Sequence, residues 1–132
     1  MKKLTAIILA AGQGTRMKSP LPKVLHPVAG IPMISKIIAN CKLAEFDEIR
    51  LVVGHGQNLV KNVVEPMGVQ TFIQTQQLGT ADAVKSASIN EIEGDVVILN
   101  GDHPLITVDD LKNFVTDFRE QKLDLAVVSV EL

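Results

Sequence analysis

The sequence predicts an α/β protein, a three-layer α/β/α sandwich whose central sheet is mostly parallel. Three observations lead there. Apolar runs rich in Ile, Val and Leu recur along the 132 residues without clean polar alternation, which suits strands covered on both faces. Helical patterns with one apolar face fill the intervals, and repeated β-α-β-α order implies parallel pairing through right-handed crossovers. The first apolar run opens directly into a loop of glycines and cations, Gly12-Gln13-Gly14-Thr15-Arg16-Met17-Lys18.

The first strand is Leu4–Ala10. Two lysines and a short apolar run resemble a signal peptide, but Gly-Gln-Gly-Thr-Arg follows in place of a small-residue cleavage site. Ser19–Pro32, with four prolines, reads as a long functional loop. Pro32 can open the first helix, with Met33, Ile34, Ile37, Ile38 and Cys41 on one face. After a second strand at Ile49–Val53, a helix from about Gln57 to Glu65 turns Leu59, Val60, Val63 and Val64 inward until Pro66 and Gly68 stop it. A third strand, Val69–Ile73, leads to an Ala-rich helix from about Thr80 to Ser88, suited to close packing on the sheet. The fourth strand is Val96–Leu99. The helix after it begins at Thr107, whose spacing to Asp110 approximates a capping box. Its apolar stripe is Val108, Leu111, Phe114, Val115 and Phe118, and a fifth strand is expected at Leu125–Val130. The chain stops at Val130-Glu131-Leu132 just as that strand finishes, which suggests a fragment of a single domain over residues 1–132.

Apolar content of 46% argues against disorder, and a net charge of -2 argues against broad nucleic-acid binding. No apolar stretch approaches the roughly 18–20 residues of a membrane span. Cys41 stands alone, so no internal disulfide is possible and a reducing cytoplasm fits. On an apolar helical face it reads as a small core residue. His26, His55 and His103 have no partner at metal-ligand spacing and read as turn or surface residues, while Asp109-Asp110 suits a helix N-terminus.

Ligands on parallel sheets bind at the carboxyl ends of the strands, so the loops Gly12–Lys23, Gln74–Thr80 and Asn100–Pro104 should converge. Gly12 and Gly14 let backbone amides approach phosphate oxygens, and Arg16 and Lys23 offset charge that develops as pyrophosphate departs. Gln74 offers both senses of hydrogen bond to a pyrimidine edge, and the backbone at Gly79-Thr80 can come close to the base. Asp102 is a hard carboxylate at the sheet edge, suited to Mg²⁺. The Walker pattern is absent, and the dinucleotide fingerprint lacks its third glycine because Met17 stands there.

What does match is the sugar-nucleotide nucleotidyltransferase signature L-x-A-G-x-G-T-R-[ML] followed by P-K, here Leu9 to Met17 and then Pro22-Lys23. Pro22-Lys23-Val24-Leu25-His26, Val52-Val53-Gly54-His55-Gly56, Gln74-Thr75-Gln76-Gln77-Leu78-Gly79-Thr80 and Gly101-Asp102-His103-Pro104-Leu105 follow in order. Together they resemble the uridylyltransferase domain of the bacterial bifunctional N-acetylglucosamine-1-phosphate uridylyltransferase/glucosamine-1-phosphate acetyltransferases, covering the whole chain but about the first half of that domain. The resemblance implies a Rossmann-like nucleotide-diphospho-sugar transferase fold. It implies synthesis of UDP-N-acetylglucosamine and pyrophosphate from UTP and N-acetylglucosamine 1-phosphate, for peptidoglycan and lipopolysaccharide precursors. By the same resemblance Leu9, Ala10, Ala11 and Gly12 line the base and ribose, and Lys23 reaches the reacting phosphate. Gln74, Gly79 and Thr80 recognise uridine, Asn100, Gly101 and Asp102 fall in the substrate-binding stretch, and Asp102 holds Mg²⁺. Asn100 departs from the family, which carries an aromatic residue there. By the resemblance, the family's remaining sugar contacts and second magnesium ligand fall beyond Leu132, so nucleotide binding with weak or no turnover is expected of these residues. Its acetyltransferase domain, on which trimerisation largely depends, is also absent from them, so a monomer is expected. A related enzyme using CTP or GTP, or a non-catalytic nucleotide-binding module, remains open at the level of sequence.

Overall fold

In chain order the elements of the computed structural model are β1 (Leu4–Ala10), β2 (Pro27–Val28), β3 (Ile31–Pro32), α1 (Met33–Leu43), β4 (Glu48–Val53), α2 (Gln57–Val64), β5 (Gln70–Ile73), α3 (Thr80–Ser86), β6 (Asp95–Asn100) and α4 (Val108–Glu120). Single 3₁₀ turns lie at Lys23–Leu25, Glu65–Met67 and Ile89–Glu91. The structure describes residues 3–11, 23–54, 57–74, 79–101 and 106–122, with positions 23, 57 and 80 described through their backbone alone. The expected strand Leu125–Val130 lies outside these residues.

Four strands form one parallel sheet in the order β5-β4-β1-β6. β1 sits in the middle because it is apolar at both parities. Leu4, Ala6, Ile8 and Ala10 pack into the larger core with Ile34, Ile37, Ile38 and Cys41 of α1, Val60 and Val64 of α2, and Leu111 and Val115 of α4. Ile7 faces the other way, onto Val52, Ala83 and Ala87. The small side chains of α3 let that helix lie close to the sheet, as its composition suggested.

Cover on both faces holds for β1 and β4 but not for the flanking strands. Ile73 is 45% exposed and Ile98 is 47% exposed. Ile73 is level with Val53 on the face of the larger core and Ile98 is level with Ile7 on the α3 face, so the two lie on opposite faces, each in a strand at an end of the described sheet. Leu59 also departs from expectation, being 48% exposed. It lies one residue before Val60, on the flank of the α2 stripe, so the i, i+4 pair Val60 and Val64 alone points fully inward.

Two further details correct the sequence reading. Within the proline-rich loop, β2 and β3 pair antiparallel across a two-residue turn, with Ala29 at φ 53° and Gly30 at φ 81°. That double positive φ is the type I′ pattern of tight hairpins. The helix expected to reach Ser88 stops at Ser86, with Ser88 in the left-handed region at φ 56°, and the carbonyls freed there, of Ala87 (2.7 Å) and Ser88 (3.3 Å), accept from the Arg50 guanidinium. Arg50 lies 5.2 Å from the Phe72 ring centroid and pairs with Glu48 at 2.9 Å, tying β4, β5 and the end of α3 together.

The capping box is present: the Asp110 N–H donates to Thr107 Oγ1 at 3.0 Å, and the Thr107 N–H donates to Asp110 Oδ2 at 3.2 Å. Asn40 of α1 donates to the Ile106 carbonyl at 2.9 Å, holding the entrance of α4 against the core.

Candidate functional site

Strand register brings four chain segments to one edge. Ala10 is level with Val53, Leu9 with Asn100 and Val53 with Ile73, so β1, β4, β5 and β6 end together. Two backbone bonds extend the ladders past the strands. The Gln74 N–H donates to the Val53 carbonyl at 2.8 Å, and the Gly101 N–H donates to the Leu9 carbonyl at 2.9 Å. Ala11, Gln74 and Gly101 are therefore delivered to the same carboxyl edge.

Gly101 fits there because space is tight. A Cβ at this position would stand 3.1 Å from the Leu9 carbonyl oxygen and 3.2 Å from Cγ1 of Val24. The same contact seats the Lys23–Leu25 turn, with Val24 and Leu25 buried, against the ends of β1 and β6. The backbone of position 23 thus reaches the edge where the glycine-rich loop begins.

On the far side, Gly79 precedes α3 at φ 103°, a conformation that L side chains rarely adopt. Ala83 of α3 packs with Ala11 and Val52 in the smaller core cluster. Gln74 is buried, at 5% exposed, and its Nε2 donates to Asp82 Oδ2 at 2.9 Å and to the Gly79 carbonyl at 3.3 Å. Asp82 was not singled out in the sequence. Its signal there is slight, an acid in the first turn of an Ala-rich helix.

Leu9, Ala10, Ala11, Gln74, Gly79, Asn100 and Gly101 are thus gathered at one edge, with Lys23 and Thr80 placed by their backbone. Leu9 and Asn100 are register partners and share the sheet face on which α3 packs. Gly12, Gly14, Arg16 and Asp102 lie outside the described residues, as do His55 and His103. Cys41 is fully buried, and burial pushes its thiol up to about 12, which suits a core residue and not a nucleophile. Among the described residues no three His, Cys, Asp or Glu side chains gather to hold a metal, and no helix is long and apolar enough to cross a membrane.

The family model described as MobA-like NTP transferase domain matches residues 6–131. Bifunctional protein GlmU of Bdellovibrio bacteriovorus is 64% identical over 129 residues, 98% of this chain and 28% of that protein. Bifunctional protein GlmU of Alkaliphilus metalliredigens is 47% identical over 131 residues, again 98% of this chain and 28% of that protein. The chain therefore spans little more than a quarter of the length of these curated relatives. Among solved structures, Rv0371c of Mycobacterium tuberculosis H37Rv superposes with a TM-score of 0.76 at 21% identity, over 90% of this chain and 61% of that one, a likeness of fold.

Proposed function

The chain belongs to the MobA-like NTP transferase domain family, and from that premise we propose that it forms the nucleotide-binding part of a uridylyltransferase. The reaction would join UTP to N-acetylglucosamine 1-phosphate and release pyrophosphate. The observation that supports this best is the meeting of Ala11, Gln74, Gly79 and Gly101 at one carboxyl edge, where the signature loop from Gly12 to Lys23 leaves β1. The relatives named GlmU, which match at 64% and 47% identity, favour the same enzyme class.

In this reading an oxygen of the sugar phosphate attacks the α-phosphorus of UTP in line. The new O–P bond forms as the bond to the bridging oxygen of the β-phosphate breaks, and the electron pair leaves with pyrophosphate. No covalent enzyme intermediate is needed, because the nucleophile is already an anion. Backbone amides at Gly12 and Gly14 hold the phosphates, and Arg16 and Lys23 take up the charge that moves onto the leaving group. The donor set fits a hard divalent ion bound largely through phosphate oxygens and water. Asp102 is next in sequence after Gly101, whose N–H donates to the Leu9 carbonyl, and a hard carboxylate at that point suits a hard divalent ion. Asp102 would hold Mg²⁺, which supplies charge neutralisation across the phosphates when bound. A cytoplasmic setting accords with the single thiol of Cys41.

Pyrophosphate release by the natural full-length chain, with each of the four nucleoside triphosphates and N-acetylglucosamine 1-phosphate, tests the proposal. UTP should lead by at least about tenfold in kcat/KM, and Asp102→Asn should cost about a hundredfold or more in rate. A leading CTP or GTP would reassign the base, and an unaffected Asp102→Asn variant would remove that carboxylate from the site.

A further inference from the structure

We propose that Asp82 is a positioning residue for base selection, because it fixes which end of the Gln74 carboxamide is left for the ligand. The inference rests on the uridine reading of the site and goes one residue deeper. A carboxamide has two faces, a donating NH₂ and an accepting oxygen, and free Gln can present either. Here the choice is removed. The carboxylate of Asp82 and the carbonyl of Gly79 are both pure acceptors, so only the NH₂ end of Gln74 can face them. Those two bonds, at 2.9 and 3.3 Å, use both Nε2 hydrogens. The remaining polar atom, Oε1, can only accept.

An accept-only atom at the carboxyl edge discriminates among bases by the ring nitrogen they present. Uracil offers N3–H and guanine offers N1–H, each of which donates to Oε1. Cytosine N3 and adenine N1 are bare, so in a base held with its ring nitrogen at Oε1 two lone pairs would meet without a proton between them, and the exocyclic amines of those bases could donate to Oε1 only from a shifted base position. A site built to receive an N–H rejects the analogue that lacks it far more strongly than an apolar pocket rejects a missing methylene. Burial of Gln74, at 5% exposed, limits the water that could relieve the mismatch. Asp82 itself sits in the first turn of α3 and acts through Gln74.

The test is the ratio of kcat/KM for UTP to that for CTP in the natural full-length chain. Asp82→Ala removes the stronger of the two acceptors and should lower the ratio at least about tenfold. Asp82→Asn, whose amide can accept or donate, should lower it by less, giving the order Asp, Asn, Ala. A purely structural role would weaken both nucleotides together and leave the ratio alone. A wild-type ratio in both variants overturns the proposal, and should Asp82→Ala fail to fold, an Asp82→Asn ratio unchanged within about twofold does so by itself.

The two readings fail separately. A wild-type enzyme that prefers UTP, with a ratio insensitive to position 82, retains the uridine assignment and loses the role of Asp82. One that prefers GTP loses the uridine assignment, and Asp82 is then judged by whether its GTP-to-ATP ratio falls or holds in the same variants. A wild-type preference for CTP or ATP overturns both.

Discussion

Cys41 and Gln74 are both buried, and they illustrate opposite uses of burial. The thiol has an apolar surround that disfavours its anion, so its pKa moves from 9.0 to about 12. A folded-state pKa raised in this way contributes stability that is complete below the unfolded value and is lost as pH rises through the window from 9.0 to about 12. Urea unfolding should therefore show stability falling by about 1.4 kcal/mol per pH unit in that window, with a shallower slope in Cys41→Ala. An identical slope in the variant would assign the loss to other groups. The thiol should also resist alkylating reagents until the protein unfolds. Gln74, by contrast, is buried with its NH₂ paired, so its position is held by specific bonds. The role of Cys41 could be read from the sequence, since it shares a helical face with Ile34, Ile37 and Ile38. The partner of Gln74 could not, because the bond to Asp82 exists only once α3 is laid over the end of the sheet.

At the scale of elements, strands were the most legible part of the chain. β1, β4, β5 and β6 each centre on a short Ile-, Val-, Leu- or Phe-rich stretch without clean polar alternation, the pattern of strands in a parallel sheet. Thr107 and Asp110 foretold the α4 cap because both bonds lie within four consecutive residues. The β2–β3 hairpin was illegible for a physical reason. Two-residue strands have no periodicity to read, and Ala at φ 53° is an unfavoured choice for the turn. The end of α3 is tied down by Arg50, whose guanidinium reaches carbonyls 37 and 38 residues away in sequence. Arg50→Met keeps the length of the side chain and removes these bonds together with the Glu48 pair. It should cost about 3 kcal/mol in denaturant unfolding, mostly by freeing the carboxyl end of α3. A loss below about 0.5 kcal/mol would show that α3 is held by its alanines alone.

For the molecule as a whole, sheet order explains why the candidate site lies where it does. β1 lies between β4 and β6, so the loop leaving it emerges between the edges that carry Gln74 and Gly101. The Gly12–Lys23 signature named the chemistry through family resemblance, and the sheet supplied the meeting point. A nucleotide that binds only the folded chain should raise its stability by about 2.7 kcal/mol at a hundred times its Kd. Thermal unfolding with UTP and Mg²⁺, set beside ATP and Mg²⁺, measures this directly. Equal shifts with both would mean that the phosphates alone are gripped. The same strand order bears on biosynthesis as well. β1 leaves the ribosome before β6, whose first residue is Asp95, and β6 is one of its two partners. At about 5–20 residues per second, one edge of a largely apolar strand waits roughly 4–17 s for its neighbour. Over that interval the nascent chain has a sticky, unpaired ribbon at its centre, and holding it apart from other chains is a task for chaperones.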